Sequence, residues 1–547
     1  MSISAKAQDL VSSAHNLSVS GPNSIKATSE TEICIFCHTP HNSNPSKPLW
    51  NRTDPGISYT IYNSSTVEAS IGQPDGSSIL CLSCHDGTIA LGSVSSKEYD
   101  IGFNLGITTL PEGESNLSTD LSDDHPVSFE YNSVLATMDL QLLDPSALPI
   151  DVQLEEGKLQ CTTCHEPHRN EFGNFLVVNP IYSGLCISCH DISNWAISSH
   201  KNSLAIWNSV DPDPWPNSNF TNVSENGCEN CHVPHSASGQ ARILKYSSEE
   251  DNCLLCHNGN VAVNNIQNDM LKPYRHNVYA YLNLHDISED GIVATMHVEC
   301  QDCHNGHQSN NTSASAPSAS GAILGVNGAN SSGSQVDQIQ YEYELCYKCH
   351  SDSPGKPGSV TTRNFEQNNV RLEFDLNNPS FHPIEGAGVN PDVKSLISPL
   401  TEASIIYCTD CHASDGAGSS NGPHGSIYPQ ILKYQYSKTY GTLESYQSYE
   451  LCYQCHDRDE IINGVGRFQA RIHRRHIVVA DIPCNFCHDP HGISSAQGNS
   501  SNSSHLINFD LSEALPIGTE FGFEDLGDYS GRCYTICHGW SHDGKSY

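Results

Sequence analysis

Hydrophobic positions in this chain do not recur at a helical or strand period over any long stretch. Gly, Pro, Ser and Asn interrupt every extended pattern, and only 37% of the residues are hydrophobic. No run of 18 or more apolar residues occurs, so we predict no transmembrane helix. The pattern therefore predicts a mostly irregular, coil-rich fold with short helices and little sheet. Ordinary apolar side chains are too few to fill its interior.

The amino terminus shows no export signal. Residues 1–30 contain no apolar h-region, and the first cysteine, Cys34, is too far along the chain to anchor a lipoprotein. We interpret this as a mature or trimmed form of the chain.

Charge limits the partners. The 26 basic and 62 acidic side chains give a formal net charge of −36 over 547 residues. Nucleic-acid backbones and anionic membrane surfaces would repel such a chain, so we expect no nucleic-acid partner.

All 24 cysteines belong to C-x-x-C-H motifs or to one close relative of that motif. Eleven motifs are regular, and the twelfth has one extra residue between its cysteines. The motif cysteines, in chain order, are Cys34 and Cys37, Cys81 and Cys84, Cys161 and Cys164, Cys186 and Cys189, Cys228 and Cys231, Cys253 and Cys256, Cys300 and Cys303, Cys346 and Cys349, Cys408 and Cys411, Cys452 and Cys455, Cys484 and Cys487, and Cys533 and Cys537. The motif histidines are His38, His85, His165, His190, His232, His257, His304, His350, His412, His456, His488 and His538.

This motif is the attachment signature of c-type haem. Its two thiols add to the haem vinyl groups, and the adjacent histidine ligates the iron from one face. Zinc ribbons, redox dithiols and disulfide frameworks do not require a histidine after every second cysteine. The sequence therefore predicts twelve covalent haem c groups, with the macrocycles serving as the core.

The second axial ligand is predicted to be histidine throughout. Only four methionines exist, whereas 17 histidines remain outside the motifs. Five of these follow a motif histidine by three residues and emerge on the same side of that haem, so we expect them to ligate a neighbouring haem. The five are His41, His168, His235, His307 and His491, and His424 resembles them with an insertion. A surface or propionate-binding role is the alternative.

Another six histidines precede these elements and are predicted to be distal ligands too. They are His15, His125, His200, His276, His382 and His476. His297 and His473 compete with His276 and His476, and the sequence leaves that choice open. We expect His285, His505 and His542 to be structural.

A repeat follows from this order: a leading histidine, a motif followed by a histidine, then a second motif. It occurs six times, so we predict six two-haem segments that stack on one another. Their boundaries are 1–100, 101–195, 196–270, 271–353, 354–460 and 461–547.

The paired motifs resemble the doubled-CXXCH domain of multihaem cytochromes c. The segments PLWNR, CLSCHDGTIALGS, HPVSF, CHEPH, CHDPHG and LINFD…CYTICHG are similar to those of outer-surface cytochromes of metal-respiring bacteria. That resemblance covers essentially the whole chain and implies export. It also implies transfer of electrons across the outer membrane or through extracellular conducting filaments, and it does not separate these two uses.

We therefore expect electron transfer without substrate chemistry. A multihaem reductase is the alternative, but it needs an iron with an open distal position, and no C-x-x-C-K motif occurs. Our expectation is an extracellular or outer-surface protein whose partners are copies of itself, head to tail in a filament, and extracellular electron acceptors. Association with a porin or other multihaem cytochromes as a conduit, and electron storage in the periplasm, are the other possibilities. The first haem (Cys34 and Cys37) and the last haem (Cys533 and Cys537) are the candidates for the junction between neighbouring copies.

Overall fold

The computed structural model describes residues 8–546 except 42, 45–46, 211, 217–219, 240, 282–283, 286–296, 465–469, 528–529 and 538. Two compact units make up the chain: Met1–Leu255 with Leu282–Asp286, and Cys256–Tyr281 with Ile287–Tyr547. Motifs one to five lie in the first unit and motifs seven to twelve in the second. The six two-haem segments stay a prediction from the sequence repeat.

Helices are short throughout the described residues. They are α1 Gln8–Val11, α2 Gly76–His85, α3 Ser133–Asp139, α4 Cys161–Cys164, α5 Ser199–Asn202, α6 Val223–Asn226, α7 Glu249–Leu254, α8 Ile266–Met270, α9 Cys300–Cys303, α10 Glu342–His350, α11 Val370–Glu373, α12 Cys408–Cys411, α13 Glu450–Tyr453, α14 Arg458–Asn463 and α15 Ala470–His473. A π-helical turn, Arg474–Val479, continues from α15. Within the described part of the chain, no helix is long and apolar enough to cross a membrane.

Sheet is sparse and antiparallel. The strands are β1 Phe129–Glu130, β2 Lys158–Leu159, β3 Tyr274–Arg275, β4 Gly328–Ala329, β5 Gln335–Val336, β6 Ser380–Phe381, β7 Gly425–Ser426, β8 Gly492–Ile493, β9 Ala514–Leu515, β10 Gly522–Gly527, β11 Ser530–Tyr534, β12 Ile536–Cys537, β13 Trp540–Ser541 and β14 Lys545–Ser546. Strand pairs β1–β2, β3–β7, β4–β5 and β6–β8 are two-residue ladders, while β10–β11–β14 and β13–β12–β9 form three-stranded sheets. The predicted coil-rich fold with short helices and little sheet is confirmed.

Helix ends follow local capping chemistry. The side chain of Asn132 accepts hydrogen bonds from the first turn of α3, and Asp457 does the same for α14. Leu140 and Gly464 then end these two helices in the left-handed conformation. Because the capping residue and the left-handed residue lie only a few positions apart, each of these helices has one or two turns.

Apolar side chains form several small clusters instead of one large core. The largest groups Tyr347 and Phe381 with four other buried residues. Of the five clusters in the described part of the chain, four pack against motif cysteines, namely Cys408, Cys37 with Cys84, Cys189 and Cys484. The protein thus concentrates its buried apolar surface around the motifs.

Buried polar side chains join successive motifs. Arg52 is fully buried and donates hydrogen bonds to the carbonyls of Ser83, Ala90 and Leu91, which lie in and beyond the second motif. Asn51 donates to the carbonyl of Ile35 inside the first motif. Because burial of an unpaired guanidinium is costly, these bonds fix the spacing of the two segments.

Candidate haem sites

Eleven motifs lie wholly or partly on short helical turns. Seven use α2, α4, α7, α9, α10, α12 and α13, and four use the 3₁₀ turns Cys34–Phe36, Cys186–Ser188, Gly227–Asn230 and Cys484–Phe486. In eight motifs the histidine N–H donates to the carbonyl of the first cysteine at 2.8–3.0 Å. One helical turn therefore gathers two thiols and an imidazole, as attachment of a haem and ligation of its iron require.

The fifth motif shows how the chain holds such a turn. Cys231 directly follows the 3₁₀ turn Gly227–Asn230, and its N–H donates to the carbonyl of Cys228 at 3.1 Å. The carbonyl of Cys231 in turn accepts the N–H of Lys245 at 2.8 Å. The returning chain therefore fixes the second cysteine of the motif as well as the turn before it.

Among the described residues, nine motif histidines face a second histidine across a gap of constant width. The pairs are His15–His85, His38–His168, His125–His190, His165–His235, His276–His350, His304–His424, His382–His456, His412–His491 and His473–His488, with ring centroids 6.0–6.5 Å apart. Two metal–imidazole bonds of about 2.0 Å each would hold the centroids about 6 Å apart. The gap fits one iron between each pair.

Pairing follows two rules along the chain. A histidine that follows a motif faces the histidine two motifs earlier, as His168 faces His38 and His235 faces His165. A leading histidine faces the second motif of its own segment, as His15 faces His85. His424, His491, His125, His276 and His382 obey the same rules. The histidines thus tie neighbouring segments together.

Backbone carbonyls orient the motif imidazoles. The Nδ1 atoms of His85, His165, His304, His412 and His488 lie 2.7–2.9 Å from the carbonyl oxygens of Ser115, Asn174, Ala322, Gln430 and His505. An Nδ1–H that donates to a carbonyl leaves the Nε2 lone pair for iron. This is the tautomer that haem ligation needs.

Carboxylates orient three of the facing imidazoles. Nδ1 of His168 lies 2.8 Å from Glu166, that of His235 lies 3.0 Å from Asp124, and that of His491 lies 2.8 Å from Glu373. Such hydrogen bonds raise the basicity of the imidazole and fix its plane.

A strained turn supplies several of the carbonyls. Asn174, Arg242, Gln430 and His505 each accept the Nδ1–H of a motif histidine, and each has a φ between 45° and 60°. Non-glycine residues seldom adopt this left-handed conformation. Two residues later the chain forms a bridge with the motif histidine, as Leu176 does with His165. We call this turn the carbonyl clamp.

Burial keeps most of these histidines neutral. Burial, followed by repulsion from the facing histidine, lowers the pKa of each of five of them to about 4: His15, His350, His412, His424 and His456. At neutral pH these imidazoles are uncharged, which is the form that ligates iron. At His491 burial also lowers the pKa, but attraction to Glu373 and the hydrogen bond that His491 donates to it leave the pKa raised overall.

Cysteines of consecutive motifs interact in alternation, first with first and second with second. First cysteines hydrogen bond at Cys81–Cys161, Cys186–Cys228, Cys346–Cys408 and Cys452–Cys484. Second cysteines interact electrostatically at Cys37–Cys84, Cys164–Cys189, Cys303–Cys349 and Cys411–Cys455, and Cys487 interacts with Cys533 and Cys537. Each motif from one to five, and each from seven to twelve, is therefore linked to the next by a pair of interacting cysteines.

The nine pairs do not include every predicted ligand. His41 is exposed, and no ring faces it within the described residues. His200 lies on α5, and His307 is exposed; their ligation, like that of His232 and His257, stays a prediction. His538 lies outside the described residues. The ring of His297 lies 4.9 Å from that of Tyr281, while His276 takes the position opposite His350.

Sequence reasoning missed two histidines. His473 enters the sequence prediction only as a competitor of His476, yet it faces His488 while His476 faces His542 at 5.9 Å. The spacing of three residues between His473 and His476 is the signal in the sequence, because it lets one helical segment serve two neighbouring sites. Nothing in the sequence near His542 pointed to such a position.

Two family models match parts of the chain. The doubled CXXCH motif family matches residues 153–193, 221–262 and 398–461, and the cytochrome c554 and c-prime family matches residues 299–372. No curated protein matches the chain. The paired motifs and these matches support a multihaem c-type cytochrome with covalently attached haem c, and they support electron transfer in general. They suggest an electron carrier rather than an enzyme.

Proposed function

We propose that this protein conducts electrons through twelve bis-histidine haem c groups and works outside the cell as a subunit of a cytochrome filament. The observation that supports this most is the alternation of cysteine interactions between consecutive motifs. A macrocycle on each pair of cysteines would lie beside the next one, so an electron would pass along the chain in steps between neighbours.

The residues fit the cofactor. Two thiols and one imidazole meet on each helical turn, and a second imidazole stands opposite at the separation that one iron fills. When bound, haem supplies the one-electron chemistry. The chain's own part is to hold each imidazole in the ligating tautomer and to keep the rings neutral and packed.

A reductase is less well supported. It would need an iron with one face open to substrate, whereas nine motif histidines have a second histidine opposite them. Bis-histidine iron is six-coordinate, so substrate would have to displace a ligand.

The position and exposure of His41 support assembly of several copies. By the first pairing rule, a histidine after a motif faces the motif two positions earlier, and residues 1–33 hold no motif for His41 to face. Its ring is exposed and stands beside motif one. We propose that it meets the haem series of a second copy, in a head-to-tail contact that propagates into a filament. A porin-bound conduit and a periplasmic store are the alternatives.

Haem count and assembly test this proposal together. The intact mass of the denatured, haem-loaded protein should exceed that of the polypeptide by twelve haems, and carbon monoxide should bind the reduced protein poorly. At high concentration, electron microscopy should show filaments. His41→Ala should keep the mass increment and the low-spin spectrum but lose the filaments.

His505→Ala is the matched control, because His505 is also a partly exposed histidine outside the pairing rules. Its carbonyl holds His488, and the substitution leaves that carbonyl in place. Filaments should persist in this variant. Protein that stays monomeric and co-purifies with a porin would favour the conduit, and stoichiometric carbon monoxide binding would favour the reductase.

A further inference from the structure

Arg52 is a buried cation whose partners carry no negative charge. Its side chain is fully buried, and its guanidinium donates to the hydroxyl of Ser83 and to the carbonyls of Ser83, Ala90 and Leu91 at 2.8–3.3 Å. These groups satisfy its N–H donors without neutralising its charge. None of the ion pairs among the described residues includes Arg52.

The comparable side chains elsewhere are neutralised. Two other lysine or arginine side chains are buried in the described part of the chain, and both have a carboxylate partner. Nζ of Lys348 lies 2.9 Å from Asp302, and Nε of Arg363 lies 3.4 Å from Asp489. Since burial of an unpaired charge is costly, lysine and arginine are rarely buried without such a partner. Arg52 is therefore a positive charge that the surrounding side chains do not balance.

This charge lies close to two haem attachment points. Burial raises the pKa of the Cys37 thiol to about 12 and also raises that of Cys84, whereas the guanidinium of Arg52 acts to lower both. The carboxylate of Asp86 acts on Cys84 in the opposite sense but more weakly, and it is bonded to the hydroxyl of Tyr59. The net field of these groups at the first and second motifs is therefore positive.

A ferrous haem carries one positive charge fewer than a ferric haem, so a fixed cation nearby favours the ferrous state. We propose that Arg52 raises the reduction potentials of the haems on Cys34 and Cys37 and on Cys81 and Cys84, and so draws electrons toward the motif-one end of the first unit. Each step passes one electron from a ferrous haem to a ferric neighbour, with no bond or proton changed. This inference deepens the proposed function and rests on it only in requiring haems at motifs one and two.

Neutralising Arg52 tests the assignment. Arg52→Met removes the charge and keeps most of the side-chain volume. In a spectroelectrochemical titration of the haem-loaded full chain, about one sixth of the absorbance change should move to lower potential, by about tenfold in the reduction equilibrium or about 59 mV for one electron. Arg52→Lys keeps the charge and should titrate like the wild type, although it loses the forked hydrogen bonds.

A second pair of variants leaves Arg52 in place and covers a failure of Arg52→Met to fold. The hydroxyl of Ser83 lies 3.3 Å from Nε of Arg52, so Ser83→Asp brings a carboxylate to the guanidinium. It should lower the same potentials as Arg52→Met does. Ser83→Asn is the matched neutral control and should leave them unchanged.

A balanced pair provides the control for burial itself. Lys348→Met combined with Asp302→Asn removes a buried cation and its carboxylate together, beside the seventh and eighth motifs. Because the net charge does not change, the titration should match that of the wild type.

The outcomes separate this inference from the proposed function. Equal shifts in Arg52→Met and Arg52→Lys would show that the hydrogen bonds act instead of the charge, and would overturn the inference. Unchanged potentials in both Arg52→Met and Ser83→Asp, with twelve haems in the denatured mass, would also overturn it and leave the twelve-haem conductor standing. Wild-type peptides that carry no haem on Cys37 or on Cys84 would refute the inference and the twelve-haem function together.

Discussion

Two imidazole–carboxylate hydrogen bonds of the same length lie in very different surroundings. His491 bonds Glu373 and His168 bonds Glu166, both at 2.8 Å. The Glu373 side chain is 8% exposed, whereas that of Glu166 is 45% exposed. Because water screens the exposed carboxylate, the buried one should act far more strongly on its imidazole. Residues with identical geometry can therefore differ in their electronic effect.

Glu373→Gln should raise the reduction potential of one haem. The carboxylate stabilises the ferric, more positive state through His491, so its removal favours reduction. Loss of such a partner typically changes a metal equilibrium ten- to a hundredfold, which is about 60–120 mV for one electron. A spectroelectrochemical titration should show this shift in about one twelfth of the absorbance change. Glu166→Gln is the control, and an equal shift there would contradict the argument from burial.

At the scale of elements, the carbonyl clamp is the recurring device. It turns the chain back on a motif histidine and accepts its Nδ1–H, at the cost of a left-handed residue. Such conformations cost of order 1–3 kcal/mol each and persist where the surrounding structure enforces them. Here hydrogen bonds between the motif and the returning chain enforce the conformation, since Val177 N–H donates to the carbonyl of Cys164.

Asn174 offers a clean test of the clamp. Its side chain is exposed and its φ is 45°, which asparagine tolerates better than most residues. Asn174→Val should lower the free energy of unfolding by about 1–2 kcal/mol, because a β-branched side chain resists the left-handed region. Denaturant titration of the haem-loaded protein measures this. Asn174→Gly should change stability far less, and equal losses in both variants would point to the side chain instead of the backbone.

Local features of the sites were predictable from the sequence, and distant ones were not. The spacing in Cys161-x-x-Cys164-His165 indicates a helical turn, and the position of His168 shows that it cannot serve its own haem. The spacing does not indicate that His168 faces His38, which depends on how segments stack. The clamp was missed because Asn174, Arg242 and His505 share no side-chain chemistry; only their carbonyls act.

At the scale of the whole molecule, charge opposes the assembly that we propose. The chain has a formal charge of −36, with 62 acidic side chains against 26 basic ones, and ionised haem propionates would add to this. Two copies that meet head to tail must therefore overcome repulsion between like charges. The contact has to depend on short-range packing, such as that proposed for the exposed ring of His41.

Salt should consequently promote filaments. The Debye length falls from about 30 Å at 0.01 M to about 8 Å at 0.15 M ionic strength, so added salt screens the repulsion between copies and leaves the short-range contact intact. Light scattering or sedimentation of wild-type protein should show longer filaments as NaCl rises over this range. His41→Ala should stay unassembled at both concentrations if its imidazole forms the junction. Filaments that dissociate as salt rises would instead indicate a junction held by ion pairs between copies, and His41 would then lose its proposed role.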